Sequence, residues 1–290
     1  MATPATDILQ QILTAQGLRT IAGAEAVRRI LEEVRKQVIG EIASAAPESF
    51  TAFRQTQMLA QLDRLLYDAE AGMRVELGRG INAAWEAGRD LLPQMASAAG
   101  TVLSPVGISS HLVDQLKEFT WGRISAITND AQAKIRAELT LGVLGQKTPH
   151  EISGTIAGTL ERPGFFKSIE ERAMVITKTE LGRTFTMAHQ ASMEAAVPTL
   201  PGLEKMWLHA GHPKRARIYH LYNNGQTKPV AEPFLIGNII MMYPRDPKAP
   251  ASEVVNCGCM HVAYMSGWGS KKEYLTSWEK AQAAANKPRR

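Results

Sequence analysis

Metal-binding side chains are gathered in one stretch of this 290-residue chain. Both cysteines stand together as Cys257-Gly258-Cys259, and four of the seven histidines, His209, His212, His220 and His261, fall in the same region. Thiolate and imidazole are the preferred ligands of zinc, and a bound ion can hold together a module too small to bury much core. The spacing is not that of a standard finger, because Cys-x-Cys replaces Cys-x₂-Cys and the partner histidines come from far upstream. Two half-buried thiols in a strand, with histidines in surface loops, account for the same residues. A disulfide between Cys257 and Cys259 would close a small strained ring, so reduced thiols or a metal are expected. A third arrangement would set His209, His212 and His220 near Asn256 as a metal-dependent nuclease, one imidazole activating water while the others hold the ion. No acidic pair accompanies them, Asp246 and Glu253 being the nearest candidates, each in a proline-bearing loop. With no glycine-rich phosphate loop, nucleophile elbow or kinase-like motif in the sequence, an enzyme is not expected.

Positioning these groups falls to a short stretch with a changed texture. After Pro201 prolines and glycines become frequent, apolar and polar residues alternate around Met206 to His209, and Asn223-Asn224-Gly225 carries a tight-turn signal. Val254 to Tyr264 alternates as a strand does, with Cys257 and Cys259 on one side and Gly258 and Met260 on the other. Residues 202–265 therefore read as a small α+β module. The first two hundred residues read as helices. Val27, Ile30, Leu31, Val34, Val38 and Ile42 form one apolar stripe, Phe53 to Leu77 a second, and Leu112 to Leu139 a third, with Gly78, Gly80, Gly100, Pro93 and Pro105 as punctuation between them. Thr148-Pro149-His150-Glu151 and Ser168-Ile169-Glu170-Glu171 have capping-box spacing, and the helix after Ser168 is expected to last to about Ala196, since Pro198 and Pro201 follow. The fold class is thus α+β. The organisation is a helical region over 1–140, the module over 141–265, and a basic helix and tail over 266–290.

Composition excludes several classes. With 44% hydrophobic and 21% charged residues the chain is neither disordered nor fibrous. Its longest apolar run, Phe234 to Tyr243, is far short of the roughly 18 residues that span a bilayer, so no membrane is expected as a partner. The first residues carry no basic segment and no continuous apolar one, so no secretion signal is expected and the host cytoplasm is the expected place of synthesis. The net charge of +5 is uneven: residues 1–150 carry 15 basic and 16 acidic side chains, residues 151–290 carry 18 and 12. Lys214, Arg215 and Arg217 form one basic cluster, and Lys271, Lys272, Lys280, Lys287, Arg289 and Arg290 form another, opposed only by Glu273 and Glu279. Such groups neutralise phosphates without reading bases, so non-specific contact with double-stranded DNA is expected, while a solvated surface or an acidic protein partner explains the same charges.

Several segments of the second half resemble, in order and spacing, the head morphogenesis domain of tailed bacteriophages, the family of the Mu F-like minor head proteins. They are Lys205-Met206-Trp207, Arg215-Ala216-Arg217-Ile218-Tyr219-His220, Asn224-Gly225-Gln226, Pro233-Phe234, Tyr243-Pro244-Arg245-Asp246-Pro247 and Val255-Asn256-Cys257-Gly258-Cys259. Ile176 to Arg183 is similar to the helix that leads into that domain, and Gly145 to Ile156 to the short helix before it. The resemblance covers roughly residues 140–262. It implies a minor capsid protein, a structural virion component that associates with the portal and with capsid or scaffold proteins. Such a protein assists procapsid assembly, DNA packaging or DNA delivery, and sits in the head interior or near the portal. Relatives with Cys-x-x-Cys in place of Arg217 to His220 look like four-thiolate zinc sites. Here the resemblance leaves His220, Cys257 and Cys259 as ligands of a possible structural zinc, with Arg217 where a thiol would stand. An arginine–carbonyl or arginine–carboxylate contact would do the same structural job. Members often carry an aspartate before the Arg-x-x-His segment, and His212-Pro213 stands there in this chain.

Overall fold

The structure, a computed structural model, describes residues 3–44, 52–103, 111–144, 150–152, 154–156, 169–210 and 217–287. His212, Lys214, Arg215, Arg289, Arg290 and the caps at Thr148 and Ser168 lie outside these residues. The fold is α+β, with long helices first and a small strand-bearing module after them. Four long helices, α1 (Pro4–Ala43), α2 (Ala52–Ala98), α3 (His111–Val143) and α4 (Ile169–Ala196), precede strand β1 (Glu204–Leu208). Then come a single helical turn α5 (Ile218–Tyr222), strands β2 (Thr227–Pro229), β3 (Phe234–Ile236) and β4 (Ile239–Met241), and a second short turn α6 (Ala251–Val254). Strand β5 (Met260–Tyr264) and helix α7 (Lys271–Ala285) complete the described chain. No helix is long and apolar enough to cross a membrane among these residues.

The first helix starts where Pro4, needing no donor, follows Thr3, whose hydroxyl accepts the Thr6 N–H at 3.4 Å. Helix α2 corrects the expected punctuation. Gly78, Gly80 and Pro93 lie inside it, and the chain turns only at Gly100, with φ +81°. At Gly88 the reason is packing: a Cβ there would lie 2.3 Å from the Phe185 carbonyl of α4, so the absence of a side chain lets the two helices touch. Helix α4 ends at Ala196, where the prolines predict it.

Two compact units interleave along the chain, whereas the boundaries at 140 and 265 are drawn along it. One comprises residues 23–78 and 117–177, the other residues 1–22, 79–116 and 178–290. In the first, the stripe of α1 is covered from within: Val27, Leu31, Val38 and Ile42 pack with Leu62, Leu66, Met73 and Leu77 of α2 and with Ile124, Ile127, Ile135 and Leu139 of α3. That stripe therefore needs no neighbouring subunit.

In the second unit a three-stranded antiparallel sheet has the order β2-β1-β5, with Trp207 opposite His261 and Lys205 opposite Ala263. Strands β3 and β4 form a separate hairpin turned by Gly237 at φ +60°. The sheet packs against Phe185 and Met193 of α4, Leu91 and Met95 of α2, Leu9 and Leu13 of α1, and Tyr274 and Trp278 of α7. Helix α7 opens with a full capping box, Ser270 and Glu273 bonding each other's backbone N–H. It is thus a core element as well as a basic one. The strand expected over Val254 to Tyr264 is shorter: residues 251–254 are helical, Cys257 to Cys259 are an irregular approach, and pairing begins at Met260. The cause is Asn256, whose φ of +53° is incompatible with an extended ladder.

Candidate metal centre

Arg217, the N-cap of α5, and His220 in its single turn share one face, since both side chains reach Glu253. The approach to β5 brings the two thiols to that face. Cys257 Sγ lies 3.6 Å and Cys259 Sγ 3.5 Å from His220 Nδ1, and the three ligand atoms lie within 4.8 Å of one another. An ion with tetrahedral metal–sulfur and metal–nitrogen bonds of about 2.3 and 2.0 Å separates sulfur from nitrogen by about 3.5 Å, so the spacing fits a metal of that kind. All three residues are buried.

Glu253 completes the arrangement. Its Oε2 lies 2.9 Å from His220 Nε2, which places a proton on Nε2 and leaves Nδ1, toward the sulfurs, as the atom that would ligate a metal. A carboxylate behind a ligating histidine is the usual outer support of a metal site. The sequence signal was present, an acid four residues before Cys257, but only folding onto the one-turn α6 shows that it backs the histidine. Arg217 donates to the Val255 carbonyl at 2.9 Å with its Nε 4.0 Å from Glu253, the arginine–carbonyl contact expected in place of a thiol. Without a metal the two thiols differ in acidity. Cys259 S–H donation, with His220 and Arg245 nearby, holds Cys257 well below the ordinary thiol range, and the same contact together with burial holds Cys259 well above it.

The family-like segments meet here. Thr179 Oγ1 on α4 accepts the Asn256 N–H at 2.9 Å, which anchors the bend before Cys257. Arg245 donates to the Cys259 carbonyl at 2.9 Å, and its guanidinium lies on Gly182, where a Cβ would come 2.5 Å from Cζ. Arg183 pairs with Glu180 and donates to the Arg245 carbonyl at 3.1 Å, and Thr186 donates to the Pro244 carbonyl at 3.0 Å. Lys205, fully buried in β1, donates to the Met242 carbonyl at 2.7 Å, and burial lowers its pKa to about 8. Asn224 Oδ1 accepts the His209 N–H at 2.9 Å.

The remaining candidates fall in different places. Asp246 caps the Met242 and Lys248 N–H groups at 2.8 and 2.9 Å, so it serves the backbone. His261 is buried between the rings of Tyr243 and His189, and neither of its nitrogens has a hydrogen-bond partner among the described residues. His189 carries no sequence signal that marks it out. It lies on α4, and its Nδ1 faces the Gly88 carbonyl at 3.1 Å while Nε2 accepts the Ala263 N–H of edge strand β5 at 3.0 Å. Burial lowers its pKa to about 4. Lys271 donates to Thr227 Oγ1 at 3.2 Å, and Lys272, Lys280 and Lys287 are exposed.

His220, Cys257 and Cys259 line a cleft of about 280 Å³ together with Lys178, Arg217 and His209. Arg245, Gln16 and Trp278 contribute to the same walls. No protein-family model matches the chain, and no curated protein or solved structure matches it either.

Proposed function

We propose that the chain is a structural minor head protein of a tailed bacteriophage, a virion component that works at the portal during procapsid assembly, DNA packaging or DNA delivery. The observation that supports this reading is the convergence of the family-like segments. Thr179 to Arg183, Arg217 to His220, Tyr243 to Asp246 and Val255 to Cys259 are far apart in sequence and bond one another around one centre. Segments that share an order by chance have no reason to share contacts.

The metal at that centre is zinc, held by His220, Cys257 and Cys259 as a structural fastener of the module. The exposed lysines of α7 contact double-stranded DNA without regard to sequence. Portal, capsid or scaffold proteins are the macromolecular partners, the protein being made in the host cytoplasm and carried in the head interior or beside the portal. When the chain is co-expressed with the portal and capsid proteins of its phage, it should enter proheads in few copies, and electron cryomicroscopy should find it at the portal vertex. Its exclusion from proheads, or metal-dependent plasmid cleavage abolished by His220→Ala, would replace this reading with that of an enzyme.

A further inference from the structure

We propose that the metal bound by His220, Cys257 and Cys259 keeps its fourth coordination position open to the cleft and fills it with an exchangeable anionic donor. Sites that serve structure alone are closed by four side chains, and a site with three protein ligands keeps a position for a solute. Here three ligand atoms converge, and no other Cys, His, Asp or Glu atom joins them among the described residues. His209 lines the same cleft and is not in the group. Glu253, the nearest carboxylate, is already engaged with the far nitrogen of His220.

Space and charge indicate what takes the position. All three ligand residues face the cleft of about 280 Å³, several times the roughly 30 Å³ of a water molecule. Lys178, Arg217 and Arg245 contribute to its walls, and no Asp or Glu does among the described residues. Two thiolates already balance a divalent ion, so the surrounding cations favour an anion over a neutral amine at the remaining position. A hydroxide, formed when metal-bound water loses a proton, or the carboxylate of a partner segment, has the required chemistry.

The inference rests on the metal assignment above and is independent of the virion role. The test uses the full chain with its zinc exchanged for cobalt(II) and azide as the probe, the azide displacing water from the ion. One metal per chain is expected, with visible cobalt bands that shift on azide addition and saturate at one azide per ion. Lys178→Ala should weaken that binding severalfold while leaving the azide-free spectrum unchanged. If the chain holds one cobalt and azide leaves its spectrum unmoved, the position is closed and the inference fails while the metal assignment stands. A changed azide-free spectrum in His209→Ala would identify a fourth protein ligand and overturn it equally. Failure to take up stoichiometric metal would remove both.

Discussion

Acid should loosen the second unit at His189. The imidazole is wedged between a carbonyl that requires a donor, Gly88 O, and a backbone N–H that requires an acceptor, that of Ala263, so only the neutral tautomer with its proton on Nδ1 satisfies both. Burial, partly offset by the Gly88 carbonyl, lowers its pKa from 6.5 to about 4. A histidine whose folded pKa lies below its unfolded one contributes stability that is present above the unfolded value and is lost as pH falls. The window therefore runs from about 6.5 down to about 4. At 1.36 kcal/mol per pKa unit the loss is about 3 kcal/mol, a large share of the 5 to 15 kcal/mol that holds a typical domain. Glutamine offers an acceptor and a donor on a similar frame and does not titrate. Denaturant unfolding of wild type and His189→Gln at pH 7, 6, 5 and 4 should show the variant less stable at pH 7 and losing about 3 kcal/mol less on acidification. The neighbouring His261, held below the ordinary imidazole range first by burial and then by His189, is present in both proteins, so only the part of its shift that His189 causes enters the difference. Equal losses would refute the reasoning, and so would an NMR titration in which the His189 ring protonates near pH 6.5.

The same geometry sets further expectations. Gly182→Ala should destabilise the chain by about 1 to 3 kcal/mol in chemical denaturation, because its Cβ collides with the buried Arg245 guanidinium. Glu253→Ala should weaken zinc binding about 10- to 100-fold in a chelator competition, with Glu253→Gln intermediate, since it removes the support of His220 rather than a ligand. Cys257→Ser and Cys259→Ser should each lower the melting temperature, by much more in zinc-loaded than in chelator-treated protein. Lys271, Lys272 and Lys280 replaced together by glutamine should flatten the salt dependence of duplex binding, the log–log slope falling by about 0.9 for each phosphate that is no longer neutralised. Deleting α7 is not the equivalent experiment, because Tyr274 and Trp278 belong to the core.

The sequence disclosed elements where a pattern repeats locally. The stripe from Val27 to Ile42 and the prolines after Ala196 marked the later part of α1 and the end of α4, because helix periodicity and proline's missing donor act within a few residues. Gly78, Gly80 and Pro93 misled because a 47-residue helix packed on others tolerates residues that would break an isolated one. The thiol pair was legible from its spacing, and His220 from a resemblance. The role of Glu253 behind His220, the role of His189 and the carbonyls that receive Arg183, Lys205 and Arg245 were not, since each acts on a partner distant in sequence. Strand β5 fell short of its alternating pattern because periodicity does not register the single positive φ at Asn256.

The buried cations also bear on the charge asymmetry. Arg183, Lys205 and Arg245 are among the basic residues that make the second half +6, yet all three are inside the fold, where backbone carbonyls receive their protons. Were the excess mainly internal, the case for an anionic partner would vanish. Glu180 and Asp246 are buried with them, however, so among the described residues of that half the interior holds three cations and two carboxylates and removes a single net charge. The described residues of that half carry 12 basic and 11 acidic side chains, so nearly all of the excess belongs to Arg162, Lys167, Lys214, Arg215, Arg289 and Arg290, which lie outside the described residues. Among the described residues, Arg217 is tied to Val255, leaving the exposed Lys248, Lys272, Lys280 and Lys287 as the freest carriers. Among the described residues an anionic partner is to be sought along α7, where Lys272 and Lys280 lie on the face opposite the one that Tyr274 and Trp278 bury.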